Sequence, residues 1–227
     1  MVANTFPSGI RWIKQMSTTF ETSPALAAFD WDQTDLYRFF AFAFSPPNEE
    51  RHQWFSHPGV PDALAALWRR LQCEGEFPGF EWFPNYREYE AAYIALFDVG
   101  VPEPPVPLFE SAHDKGRPAQ ELVLENTYFY DVIGLRANPA VSTPDHLVTQ
   151  LEFLSAVTFA REQAATETQT HDLSRLERDF LERHLLSWTS AAHEKLRDCP
   201  ILAFRVLFCL LFRQLRWRHG MLSSPLP

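Results

Sequence analysis

Between positions 100 and 118 the chain carries Pro102, Pro104, Pro105, Pro107, Gly116 and Pro118. Proline lacks the backbone donor that helix interiors and central strands need, so this stretch can be neither. It reads as a long extended loop, and loops of that length in compact domains are usually functional or disordered. On both sides of it, apolar residues recur at steps of three and four, the helical period. No strand alternation, internal repeat or low-complexity tract interrupts them. An all-α, single-domain helical bundle follows, with the proline-rich loop near its middle.

The helices can be placed by their punctuation. Ser23-Pro24 can open the first, which displays Leu36, Phe39, Phe40 and Phe44 and stops at Ser45-Pro46-Pro47. A short helix over 49–56 follows, then one from Pro61-Asp62 with Leu64, Leu67, Trp68 and Leu71 on one face. Asn85 can cap a helix that lines up Tyr86, Tyr89, Tyr93 and Phe97 along one side. Helical pattern returns over 120–133 and stops at Gly134. A helix from Pro144 to about position 166 comes next. Asp172 is placed to cap another through His184 and Leu185, with a break near Ser187, and a short helix covers 191–197. Pro200 opens the last, to about Trp217, where Arg205, Cys209, Arg213 and Arg216 form a narrow polar stripe. Residues 1–22 read as a flexible extension, 23–219 as the helical domain and 220–227 as a tail.

Composition narrows the function classes. The net charge is −9, which disfavours nucleic acid and anionic lipid and favours basic partners. Three cysteines without a Cys-x-x-Cys give no disulfide framework, in keeping with a reducing cytoplasm. No N-terminal secretory signal is visible, and the longest apolar run, 201–212, is about half a membrane span. Phosphate-cradling glycine motifs and Gly-x-Ser-x-Gly are absent. Among eight histidines none shows His-x-x-x-His spacing. His171-Asp172 has the dipeptide of helical metal-dependent phosphohydrolases, but it stands where a helix cap is expected. No cofactor or metal is therefore expected.

The stretch 143–154 gathers the candidate site. Asp145 in a first helical turn complements the helix dipole, which is its ordinary role. Spaced i, i+4, i+7, Asp145, Thr149 and Glu152 would also form an acidic strip for a Lys or Arg partner. His146 shares the neighbouring face with Gln150 and Phe153 and could donate to a peptide carbonyl. From 103 to 152, eight acids against three bases give −5, more than half of the chain's excess. A solvated acidic face is the plain alternative to a binding strip. The many rings of the chain, Tyr93 and Phe97 included, leave some for a groove.

Five ordered pieces carry a resemblance. They are Tyr93-x-x-Leu96-Phe97; Glu103-Pro104-Pro105-x-Pro107-Leu108-Phe109-Glu110-Ser111; Tyr130-x-x-x-Gly134-Leu135; Pro144-Asp145-His146-Leu147-x-x-x-Leu151-Glu152-Phe153-Leu154; and Phe180-Leu181-x-x-His184-Leu185-x-x-Trp188. Together, over about residues 30–215, they resemble the TorD/DmsD/NarJ-type redox-enzyme-maturation chaperones, in particular the branch serving type II DMSO-reductase-family molybdoenzymes. The resemblance implies a cytoplasmic, non-enzymatic chaperone. It would bind the apo-catalytic subunit of a molybdopterin oxidoreductase, or its twin-arginine signal peptide, during cofactor insertion and export control. It also implies a peptide-binding region at Glu103, Glu110, Ser111, Asp145 and His146, and either a monomer or a helix-exchanged dimer. One departure stands out: Ala112-His113 follows the Glu-Ser where relatives often place a tyrosine. A plain interaction scaffold using the same aromatic surface is the remaining alternative.

Overall fold

A computed structural model describes residues 31–136 and 143–224, and the elements there are helical. In chain order they are α1 (Gln33–Phe44), α2 (Glu49–Phe55), α3 (Val60–Arg70), α4 (Tyr86–Tyr93), α5 (Glu110–His113) and α6 (Ala119–Val132). After them come α7 (Leu147–Glu162), α8 (Glu167–Phe180), α9 (Leu186–Leu196) and α10 (Leu202–Ser223). The expected extension at 1–22 and the Ser23-Pro24 helix start lie outside the described residues, as does most of the loop expected at 134–142.

Short polar side chains set several helix starts by accepting the free amides there. Asp32 takes the Asp35 amide, Asn48 that of Arg51 and Asn85 that of Glu88. Thr166, not Asp172, caps α8, accepting from Gln169 N, while Gln169 returns a bond to Ala165 N. Asp172 instead sits exposed within α8. Arg51 is buried, donates to the carbonyls of Phe42 and Pro46, and so holds the chain through the Pro46-Pro47 turn.

α4 and α8 each run into a π-helical turn, Ile94–Asp98 and Leu181–Leu185. The second continues directly into α9, so no break falls near Ser187. α10 extends past position 219 to Ser223.

α1 lies along α7, α7 along α8, and α9 and α10 pack together with α10 also against α8. One connected apolar core reaches from Leu36 to Leu215. Phe44, Phe97, Phe204 and Phe208 meet at centroid separations of 5.0–6.1 Å around its middle. Phe153 and Phe180 meet at 4.6 Å between α7 and α8. Tyr93 and Phe97 belong to this core, each 1% exposed. The rings that were expected to line a groove are packing residues in this structure.

The proline-rich segment is packed down. Gly100 begins the return, and a Cβ there would stand 2.2 Å from the Glu103 carbonyl oxygen. Val106 N then bonds Leu96 O at 3.0 Å, and Val106 and Leu108 are each 1% exposed. The loop also contains the single turn of α5, which its prolines had argued against. α5 starts only after Pro107, the last proline before it, where nothing forbids helix.

Candidate functional site

The loop and the start of α7 are joined by one short antiparallel pairing, Phe109 with His146. Glu110 N donates to Asp145 O at 3.0 Å and Leu147 N to Leu108 O at 2.8 Å. This pairing sets the register of α7. His146 is its cap, with Nδ1 accepting from Val148 N at 3.2 Å, and the helix begins at Leu147. Asp145 is therefore outside the helix and turned inward, 2% exposed. Its Oδ2 accepts from Ser111 Oγ at 2.6 Å and Ser111 N at 3.3 Å. The expected acidic strip Asp145–Thr149–Glu152 does not form, because only its last two members share the helix.

Glu110 is fully buried and is the centre of the assembly. It accepts from Arg117 at 3.1 Å, Asn126 at 3.0 Å, Gln150 at 2.8 Å and His184 Nδ1 at 3.0 Å. These donors come from four places: the turn after α5, then α6, α7 and the second π turn. Trp188 Nε1 donates to Gln150 Oε1 at 3.2 Å, which ties in α9. The Tyr130 hydroxyl donates to Pro144 O at 2.5 Å. Burial, reinforced by Glu110, Asp145 and Glu152, pushes its pKa well above the usual range, so Tyr130 stays a donor. Arg117 also pairs with Asp114 at 2.8 Å and Glu125 at 2.9 Å. His113 takes a ring position, stacked on Trp188 at 5.2 Å and bonded to Pro107 O at 2.8 Å.

The local −5 is thus largely internal or paired. Glu110 and Asp145 are buried, and Asp114 and Glu125 are held by Arg117. Of the expected contact residues, Glu103 is exposed and faces Lys115 at 3.8 Å, Glu152 is exposed, and Ser111 and His146 are partly covered. His171 and Asp172 lie exposed on α8 with 4.0 Å between them. Among the described residues, no three His, Cys, Asp or Glu side chains converge to hold a metal.

Residues 62–194 match the family model described as nitrate reductase delta subunit. The chain belongs to that family. It is 28% identical over 167 residues to the perchlorate reductase assembly chaperone protein of Dechloromonas aromatica (strain RCB), covering 67% of this chain and 72% of the relative. It is 30% identical over 147 residues to the chlorate reductase assembly chaperone protein of Ideonella dechloratans, covering 63% and 72%. The selenate reductase assembly chaperone protein of Thauera selenatis is 30% identical over 139 residues, covering 60% and 67%. In this delta-subunit-family chain the matched span holds every member of the Glu110 assembly.

Sequence reasoning missed two features. Asn126 and Gln150, which complete the assembly, gave as their only signal a polar residue among apolar helix neighbours. The second lies on the outside of α6. Leu124, Tyr128 and Val132 are 70%, 71% and 53% exposed, one helical turn apart. Exposed Glu121 and Asp131 share their face. The i, i+4, i+8 spacing of these apolar residues is legible in the sequence. No helix among the described residues is long and apolar enough to cross a membrane.

The cap of α7 should make the fold acid-sensitive. Burial lowers the His146 pKa from its ordinary 6.5 to about 4, against the pull of Asp145. Between those values the unfolded chain binds the extra proton and the folded chain does not, so stability falls as pH drops from 6.5 towards 4. Partial solvent contact holds the loss to about 1–2 kcal/mol. His146→Asn keeps an acceptor at the cap, its Oδ1 standing in for the ring nitrogen, and removes the titration. It should narrow the difference in thermal midpoint between about pH 7.5 and about pH 5 by about 2–6 °C. An unchanged difference would show that His146 does not titrate this way.

Proposed function

We propose that this chain, an assembly chaperone of molybdoenzyme maturation, captures its client through the outer face of α6. The client is the catalytic subunit, and the segment recognised is its twin-arginine leader. The observation that carries this reading is the exposed row Leu124, Tyr128 and Val132 with Glu121 and Asp131 beside it. Apolar rows of this kind, rimmed by charge, mark interaction sites on soluble domains. A leader with adjacent arginines and an apolar stretch complements both the acids and the row. Glu103 and Glu152 supply further exposed acids near the loop and α7, with Ser111 and His146 at the partly covered rim. Glu110 and Asp145 act from inside, fixing the loop against α7 rather than touching the client.

The role is one of holding, not catalysis: the chain keeps the subunit in the cytoplasm until its cofactor is inserted. Binding of a fluorescent peptide with the leader sequence of the cognate catalytic subunit tests the site. Leu124→Asp with Tyr128→Asp should weaken binding at least about 30-fold, because aromatic anchors dominate such interfaces. Glu121→Lys with Asp131→Lys should weaken it less and reduce its salt dependence. Unchanged affinity in the first double variant, with helicity intact, would remove α6 from the site.

A further inference from the structure

Beside the row on α6 stands a carboxylate that the chain fills with its own arginines. Glu125 directly follows exposed Leu124, one turn after Glu121 and three residues before Tyr128, so it borders the row. Its side chain is 17% exposed, and both of its oxygens are taken. Oε2 accepts from Arg117 Nη1 at 2.9 Å, and Oε1 accepts from Arg183 Nη2.

The two guanidiniums are held differently. Arg117 also pairs with Glu110 at 3.1 Å and with Asp114 at 2.8 Å, which makes it a fixed part of the buried assembly. It donates to the Arg183 carbonyl as well, at 3.3 Å, and so sets the second π turn against α6. The Arg183 side chain, by contrast, is 60% exposed. Besides pairing with Glu125, its guanidinium lies over the Phe129 ring, 5.7 Å from the centroid.

We propose that Glu125 is the receptor for one arginine of the client leader, and that Arg183 is a resident guanidinium which the leader displaces. This rests on the reading of α6 as the leader's site. An ion pair with one exposed partner holds weakly, because water and salt screen it and a long side chain must be ordered. Releasing Arg183 to solvent therefore costs little. It leaves a mostly covered carboxylate already oriented by Arg117, with a ring face next to it. An incoming guanidinium finds the same charge-assisted bond at Oε1 and the same stack on Phe129. A lysine ammonium of equal charge reproduces neither the planar stack nor the forked donor geometry. Arg183 competes with every basic peptide alike. A peptide that offers arginine together with an apolar stretch for Leu124, Tyr128 and Val132 gains enough to displace it.

Equilibrium binding of the fluorescent leader peptide, beside the same peptide with both arginines replaced by lysine, tests this. Arg183→Ala should bind the arginine leader about two- to fivefold more tightly, as removal of a weak competing pair allows. The lysine leader should gain less than about twofold, although its charge is the same. Glu125→Gln should weaken the arginine leader at least about fivefold and, added to Arg183→Ala, should abolish the gain. No gain in Arg183→Ala would overturn the assignment. So would an equal gain for both peptides, or a gain that survives Glu125→Gln, since either reduces Arg183 to a long-range charge. Arg183→Ala removes an exposed side chain, so the comparison of the two peptides decides the matter even if Glu125→Gln folds poorly. Binding weakened by Leu124→Asp with Tyr128→Asp but unmoved by Arg183→Ala would leave the leader on α6 and take it off Glu125. Binding unmoved by either would overturn both readings.

Discussion

Glu110→Ala should lower the stability of the folded chain by about 3–5 kcal/mol, the range for removing one partner of a buried ion pair. The thermal midpoint should fall by about 10 °C for a domain of this size. The cost arises from what remains. Four donors, from Arg117, Asn126, Gln150 and His184, converge on a carboxylate with no solvent exposure. Without it, three buried donors and a guanidinium each lose one acceptor, and the shortfall inside the core carries a desolvation cost. Glu103→Ala, in the same motif, should cost less than about 1 kcal/mol, since its pair with Lys115 is exposed. Urea unfolding of both variants beside the unaltered chain measures the difference. A Glu110→Ala protein as stable as the parent, but defective in client binding, would return Glu110 to the contact surface.

That contrast shows what the sequence could convey. Helix starts announced by one short polar residue were legible at Asn85, because a cap is a local bond across three residues. The ordered motif pieces also come together in space. Glu110-Ser111, Tyr130, Asp145-His146, His184 and Trp188 meet in one assembly.

The orientation of those residues was not legible. Acids are normally solvated, so Glu110 and Asp145 read as surface, whereas their partners lie up to 74 residues away in the chain. Pro144-Asp145 reads as a first turn because proline suits that position. The pairing of Phe109 with His146 moved the start to Leu147, and a shift of that size breaks any i, i+4, i+7 strip. The π turns have no simple compositional mark, so the continuity of α8 into α9 was hidden as well.

Tyr93 carries the same ambiguity, and its substitution should be nearly as costly as that of Glu110. Steps of three and four align Tyr86, Tyr89, Tyr93 and Phe97 whether their face meets a client or a core. In the structure the Tyr93 ring packs 5.1 Å from Phe97 and 6.2 Å from Phe204, and its hydroxyl donates to Phe44 O at 2.8 Å. Tyr93→Ala should therefore cost about 3–5 kcal/mol, as truncation of a buried ring leaves a cavity that neighbours fill only in part. Tyr93→Phe keeps the ring and loses one hydrogen bond, for about 1 kcal/mol. A client-contacting tyrosine would behave differently: removing its hydroxyl would reduce affinity and spare stability. Tyr93→Phe should instead bind the leader peptide within about twofold of the parent while melting earlier. Affinity lost without any change in midpoint would place this ring in the groove, and with it the face of α4 that the core now claims.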